Sequence, residues 1–305
     1  MSMARDLTGY GATPPAANWP GGARVAVQFV INYEEGAENS VLNGDKGSEA
    51  FLSEMVGAAS HPDRAMAMES LYEYGSRAGF WRLHRLFTAR GLPVTVFGVA
   101  KAMEMNPEAV AAMRAADWEI ASHGLRWIDY QYVDEAVERA HIAEAVALHE
   151  KLTGSRPLGW YQGRTSPNTA RLVAEEGGFL YDADSYADDV PYWDETHAHL
   201  REGRAQLVVP YTLDVNDMKI VALNGFTEGE QFFRHMRDTF DQLVEEGGRM
   251  MSVGLHARIA GKPGRARWLA RFLDHVTASG EAWVARRCDI ARHWIAQYPC
   301  PGDAA

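Results

Sequence analysis

The sequence predicts an α/β protein in which parallel strands are joined through helices. Short runs rich in Val, Ile and Phe alternate along the 305-residue chain with longer segments whose apolar residues recur at helical spacing. Gly and Pro separate the two kinds of segment, and no internal repeat or linker interrupts the alternation. The pattern favours one domain over residues 1–305, built as a closed or distorted barrel or as an open doubly wound sheet.

The first elements follow a Pro/Gly-rich arm at residues 1–22. The run ARVAVQFVINY predicts a buried strand that ends at Glu34, because its β-branched and aromatic residues are continuous over a short length. Residues 70–91 have apolar positions at helical spacing and stop at a Gly, and PVTVFGVA then predicts a second strand. NPEAVAAMRAADW predicts a short helix with Pro near its first turn, and EIAS predicts the strand that leads to His123.

The same alternation continues to the end of the chain. A long helix is predicted from about residue 134 to 152, and another begins near residue 167. Later helices are predicted at EQFFRHMRDTFDQLVEEG and at residues 265–277. The remaining predicted strands are PLGWYQG, GFLYDADS, QLVVPYTLD, RMMSVGLH and AWVARR.

Composition and charge restrict the class of partner. The net charge of −11 opposes binding to nucleic-acid phosphates, which depends on clustered Lys and Arg. The two cysteines, Cys288 and Cys300, are too few for a disulfide framework or a multi-thiolate zinc site. We therefore expect a small-molecule substrate, with no nucleic acid and no membrane as partner.

The N-terminal sequence and the hydropathy pattern indicate where the protein works. MSMARDLTGYGATPP lacks the apolar core of a secretory signal. No apolar stretch approaches the roughly 20 residues that cross a bilayer. We expect a cytoplasmic protein.

Reactive side chains stand where the predicted strands end. Each has an ordinary explanation by itself, since paired glutamates after a strand are usually solvated and a lone His is usually structural. Parallel strands open onto one face at their carboxyl ends, so several such residues together indicate a site. The candidate catalytic residues are Glu34, Glu35, His123, Arg164 and His256.

The order of these motifs resembles the polysaccharide deacetylases, and most closely the branch of bacterial allantoinases that act without a metal. The short motifs are NYEEG, SHGLRW, GWYQGR and VGLH. Longer stretches, including MESLYEYGSRAG, EEGGFLYDADSYADDVPYW and PYTLDVNDM, extend the resemblance over most of residues 5–299. The resemblance implies a distorted (β/α) barrel of about seven parallel strands that hydrolyses an amide carbon–nitrogen bond.

The resemblance also implies roles for the acidic pair and the Ser-His motif. Glu34 takes the place of the catalytic base and Glu35 that of a metal ligand, while His123 matches the first His ligand. Trp127 stands where the second His ligand would be. No cofactor is predicted, because catalytic zinc usually has three protein ligands. A divalent metal, if present, would be held by Glu35 and His123.

A further carboxylate, Asp184 or Asp217, could complete such a metal site. The same two residues and Asn216 are also candidates to hydrogen-bond the N–H groups of a urea-like substrate. Trp127 is the candidate to pack against the flat ring of that substrate.

The expected activity is the opening of the hydantoin ring of allantoin to allantoate in purine and urate catabolism. Glu34 or Glu35 would accept the proton of the attacking water, and Arg164 and His256 would stabilise the oxyanion. His123 would orient the base or donate to the leaving nitrogen. N-deacetylation of acetylated sugars or peptidoglycan is the alternative activity, and a catalytically inactive barrel that binds a ligand is the third. The resemblance implies a homo-oligomer, with a tetramer as one form.

Overall fold

The chain folds into an α/β structure whose mostly parallel sheet curls into a half-barrel. The computed structural model describes residues 5–222 and 225–301. The strands within these ranges are β1 Val25–Tyr33, β2 Thr95–Gly98, β3 Glu119–Ser122, β4 Gly159–Trp160, β5 Tyr181–Asp182, β6 Tyr192–Asp194, β7 Gln206–Val208, β8 Arg249–His256 and β9 Ala282–Val284. Eight lie in the order β6-β7-β5-β4-β3-β2-β1-β8, and β9 also pairs with β1.

Helices connect the strands and cover the outside of the sheet. They are α1 Met66–Tyr74, α2 Phe80–Thr88, α3 Ala100–Met105, α4 Pro107–Ala115, α5 Glu135–Thr153, α6 Thr169–Glu176, α7 Gly229–Glu246, α8 Pro263–Ser279 and α9 Arg287–Gln297. A π-helical turn, Gly75–Gly79, joins α1 to α2. The ends follow local chemistry: the side chain of Asp134 caps α5 by accepting the N–H of Ala136, and Gly154 ends it in the left-handed conformation. In the described ranges, no helix has both the length and the apolar character to span a bilayer.

The predicted fold class is confirmed, with corrections in the second half of the sheet. Strand β6 was not predicted, and it pairs antiparallel with β7, whereas the other paired strands run parallel. Its three residues are half-buried and carry no apolar run, so the sequence has little strand signal there. The runs PLGWYQG and GFLYDADS form strands of only two residues. The predicted domain and arm include residues 1–4 and 302–305, which lie outside the described residues.

Strand β1 pairs with β2, β8 and β9 and is buried along its whole length. Its side chains alternate between two apolar layers, as expected for a strand covered on both faces. Phe29 packs in one layer against Phe87 of α2 and Phe272 of α8. Val30 belongs to the other layer, which fills the inside of the half-barrel. This packing holds the carboxyl end of β1 in place, and Glu34 is the residue that directly follows it.

The register of the parallel strands brings their carboxyl ends to one edge. Asn32 of β1 pairs with His256 of β8, while Tyr33 pairs with Gly98 of β2. Gly98 in turn pairs with Ser122, the last residue of β3. Glu34, His123 and His256 therefore lie at the same end of the half-barrel.

The helix layer contains a buried histidine that makes stability depend on pH. His149 of α5 is 1% exposed, and its Nδ1 has no hydrogen-bond partner in the described structure. Burial lowers its pKa to about 4 from the ordinary 6.5. The unfolded chain therefore binds more protons below pH 6.5, and we expect stability to fall by about 3 kcal/mol between pH 6.5 and 4. Urea unfolding at several pH values should show a shallower decline in His149→Gln than in the parent.

A substitution at the exposed His199 serves as the matched control for this prediction. His199→Gln should keep the pH dependence of the parent protein. The same slope in His149→Gln and in the parent would contradict the assignment.

Candidate active site

Glu34 is the centre of a buried cluster at the carboxyl end of the sheet. Its side chain is 1% exposed, and its Oε1 lies 3.3 Å from Nε2 of His123 and 3.4 Å from Nε2 of His256. The three residues directly follow or end the parallel strands β1, β3 and β8. The structure thus joins three of the five predicted catalytic residues around one carboxylate oxygen.

Arg258 completes this cluster and was missed by the sequence analysis. Its Nη1 lies 2.8 Å from Oε2 of Glu34 and 3.8 Å from Oε1 of Glu35. Its backbone N–H also donates to Oε1 of Glu35. The only sequence signal was a charged residue within the otherwise apolar run VGLHARIAG after a strand.

The two glutamates differ in their electrostatic environment. Burial raises the pKa of Glu34, but Arg258 and His256 outweigh burial and hold that pKa well below its usual range. Burial also raises the pKa of Glu35, which remains raised because Glu34 adds to it while Arg258 lowers it less. Glu34 is therefore the ionised carboxylate that faces the two imidazoles.

His256 is held by Asp217 in a carboxylate–imidazole pair. Oδ1 of Asp217 lies 2.6 Å from Nδ1 of His256, and Oδ2 accepts the backbone N–H groups of His256 and Ala260. Burial lowers the pKa of His256, but Glu34 and Asp217 raise it to about 9. Nδ1–H donates to Asp217, and Nε2 is left to face Glu34.

The backbone carbonyl of Tyr161, the residue that follows β4, orients His123. Its Nδ1 lies 3.2 Å from the carbonyl oxygen of Tyr161, which can only accept a hydrogen bond. Nδ1 must therefore carry a proton for this bond to form, and Nε2 faces Oε1 of Glu34. The carbonyl of Tyr161 thus holds the ring with Nε2 toward the carboxylate.

Trp127 and Arg164 pack together beside the cluster. The indole of Trp127 is 5% exposed, is stacked on Phe51 and contacts Tyr72. The guanidinium of Arg164 lies 5.1 Å from the centre of the indole, and its nearest carboxylate is Glu49 at 3.7 Å. Contact of Trp127 or Arg164 with a substrate stays a prediction.

The other predicted substrate-binding residues hold loops at the same edge. Asp184 accepts the backbone N–H groups of Gln162 and Gly163 at 2.8 and 2.7 Å. Asn216 accepts the N–H of Met218 and donates to the carbonyl of Thr212. Burial, together with Asp182, raises the pKa of Asp184. Their contact with substrate, like that of Asp217, stays a prediction.

The residues do not fit the metal site of the family pattern. Within residues 5–222 and 225–301, no three His, Cys, Asp or Glu side chains are grouped as metal ligands. Trp127 offers no ligand atom at the place of the second His. The guanidinium of Arg258 lies against both Glu34 and Glu35, so it places positive charge where the carboxylates would meet a cation.

Comparison with known proteins gives the family of the chain. The sequence profile described as polysaccharide deacetylase matches residues 62–179. A curated protein of Schizosaccharomyces pombe, whose name places it among the polysaccharide deacetylases, is 42% identical over 317 residues, with 98% of this chain and 99% of the relative covered. The chain belongs to the polysaccharide deacetylase family. The resemblance noted from the motifs is thereby confirmed.

Two crystal structures show how closely this family member follows its relatives. The structure of PuuE allantoinase is 54% identical with a TM-score of 0.95, and the match covers 98% of this chain and 99% of that one. A structure from Pseudomonas aeruginosa PAO1, whose name places it among the polysaccharide deacetylases, is 57% identical with a TM-score of 0.94, covering 97% and 99%. The protein is a hydrolase of the polysaccharide deacetylase superfamily.

Proposed function

We propose that the protein is an allantoinase, which opens the hydantoin ring of allantoin to allantoate in purine catabolism. The observation that carries the proposal is the buried Glu34 between the imidazoles of His123 and His256, in a site that lacks the second His ligand. Such a cluster supplies a proton acceptor and proton donors for amide hydrolysis. The 54% identity to PuuE allantoinase over nearly the whole chain supports the same substrate.

The first step is the attack of water on the ring carbonyl next to the carbon that bears the ureido group. Glu34 takes one proton of the water while the oxygen bonds to the carbonyl carbon, which becomes tetrahedral. His123, whose Nδ1–H is fixed on the carbonyl of Tyr161, orients the carboxylate through Nε2.

The second step breaks the bond between that carbon and the ring nitrogen. The nitrogen leaves as part of a ureido group and needs a proton, which His256 donates from Nε2. The Asp217 carboxylate keeps the imidazole in the required tautomer. The products are one carboxylate and a second ureido group on the same carbon, which together form allantoate.

The low pKa of Glu34 in the resting site is consistent with its role as proton acceptor. Arg258 and His256 lower this pKa because their positive charges lie next to the carboxylate. When negative charge develops on the substrate oxygen, those charges are shared with the oxyanion and Glu34 becomes more basic. We propose that these side chains act without a resident metal.

Enzyme assay with the purified protein tests the proposed function. Each enantiomer of allantoin is supplied, and we expect allantoate to form from at least one of them. The absence of allantoate from both would overturn the proposal.

N-deacetylation is the second candidate function, and the names of the S. pombe and P. aeruginosa relatives favour it. Acetylated chitin oligomers and peptidoglycan fragments are therefore assayed in parallel for released acetate. We expect no acetate. Acetate release together with inactivity on allantoin would assign the site to the deacetylases.

A further inference from the structure

Arg258 is a buried arginine between aromatic rings. Its residue is 2% exposed, and its Cζ lies 4.3 Å from the ring centre of Tyr72 and 5.1 Å from that of Trp127. A guanidinium is weakly hydrated and stacks on aromatic faces, so this environment suits it better than it would suit a lysine. Trp127 therefore packs against a cation at the place where the family pattern has a metal-binding imidazole.

The guanidinium lies beside two of the three places to which the family pattern assigns a metal. That pattern assigns the metal to Glu35, His123 and the residue at position 127. Arg258 contacts two of these three places, because its Nη1 is 3.8 Å from Glu35 and its Cζ is stacked on Trp127. A fixed cation therefore lies beside the position where Trp127 stands in place of the second His.

The donors of this guanidinium are only partly satisfied by the protein. In the described structure Nη1 meets Glu34 at 2.8 Å in an ion pair, whereas Nε and Nη2 have no hydrogen-bond partner. A buried donor without a partner is destabilising, and more so when it is charged. The arrangement therefore fits a bound group with acceptor oxygens.

A cavity lies next to two residues that contact Arg258. Its volume is about 330 Å³, which is within the range of small-molecule sites. Glu35 and Tyr72 line it, and both contact Arg258. Glu38 also lines it, and burial raises the pKa of that carboxyl to about 7.

We propose that Arg258 is the built-in cation of the site, held by Trp127 and Tyr72 in place of the metal, and that its free N–H groups bind the carbonyl oxygen of a cyclic ureide. This inference rests on the proposed function. The negative charge that develops on the oxygen during attack is stabilised by the guanidinium, as a metal would stabilise it in a related enzyme. No proton leaves the arginine in this role.

Steady-state kinetics of two variants test the role of the guanidinium. Arg258→Met removes the charge at similar length, and we expect kcat for allantoin to fall about 100-fold or more with a smaller change in KM, because the interaction strengthens in the transition state. Arg258→Lys keeps the positive charge that pairs with the Glu34 carboxylate. This variant should therefore fold even if Arg258→Met does not. We expect about a 10-fold loss in that variant, since an ammonium cannot reproduce the planar fork.

The matched control for these variants is Arg265→Met, which removes an arginine that bonds to the carbonyl of Ile259 in the same connection. It should keep the parental kcat. Addition of guanidinium to Arg258→Ala should restore activity in part, which a merely structural role does not predict. If both Arg258→Lys and Arg258→Met stay within about threefold of the parent per folded molecule, the inference is wrong. Inactivity of the parent on allantoin counts against the proposed function instead.

Metal titration tests the same inference without any substrate. Zn²⁺ binding is measured by calorimetry for the parent, for Trp127→His and for the double variant Trp127→His/Arg258→Met. We expect tight binding in the double variant alone, because it regains the imidazole and loses the competing cation. Equal Zn²⁺ affinity in all three proteins would contradict the placing of the guanidinium at the metal position.

Discussion

Replacing Glu34 with Gln should lower kcat/KM for ring opening by about 1,000-fold to 10,000-fold. The amide keeps the size of the side chain but cannot take the proton of the attacking water. It also removes the negative charge that Arg258 and His256 share, so the loss exceeds that of a single hydrogen bond. The measurement is steady-state hydrolysis of allantoin by variants whose folded fraction is determined by circular dichroism.

Two other glutamine variants make this prediction specific to Glu34. Glu35→Gln should lose less activity, because Glu35 bonds to the backbone N–H groups of Glu34 and Arg258 and makes no contact with an imidazole in the described contacts. Glu119→Gln is the structural control, since this buried carboxylate at the other end of β3 bonds to Thr95 and Tyr181. It should lower thermal stability while the folded enzyme keeps its kcat. A larger loss of activity in Glu35→Gln than in Glu34→Gln would reverse the assignment of the base.

Replacing Asp217 with Asn should lower kcat by about 1,000-fold while the fold is retained. The amide oxygen can still accept the backbone N–H groups of His256 and Ala260. Its NH₂ group, however, would face Nδ1 of His256, so this nitrogen must become the acceptor and the ring loses its charge. His256 is then a neutral imidazole, which is a weaker acid toward the leaving nitrogen than the charged ring.

The pH profile and a control variant at Asp214 distinguish loss of the His256 proton donor from a general disturbance of the loop. In the parent, Asp217 and Glu34 raise the pKa of His256 to about 9, so activity that needs the imidazolium declines as the pH rises through that value. The decline should shift to lower pH in Asp217→Asn. Asp214→Asn changes a partly exposed carboxylate of the same segment, which pairs with Lys219, and should behave like the parent. An unchanged profile with parental kcat in Asp217→Asn would remove His256 from the role of proton donor.

The sequence predicted the central residues of the site because they depend on local signals and one rule of topology. Glu34, His123 and His256 each follow or end a strong strand pattern, and the carboxyl ends of parallel strands meet at one edge. The extent of α5 was also predictable, since the Asp134 cap and Gly154 lie where the periodic pattern starts and stops. These features need no knowledge of distant contacts.

The remaining contacts of the site depend on tertiary structure that the pattern does not contain. Arg258 lies two residues beyond β8, and only the path of that connection turns its side chain toward Glu34. Asp217 looked like a candidate substrate ligand, yet the parallel bridge between Asn216 and Gly254 brings it beside His256. Trp127 as the altered ligand position stays a prediction, and the segment around it carries no signal for the Arg258 guanidinium that packs on its ring.

Metal content and activity, measured together, decide whether the side chains of this site open the ring without a resident metal. Metal content and allantoin hydrolysis are determined on the same preparation, before and after treatment with a chelator. We expect full activity at substoichiometric metal content and no gain on addition of Zn²⁺ or Mn²⁺. Activity that disappears with the chelator and returns in proportion to bound metal would contradict it.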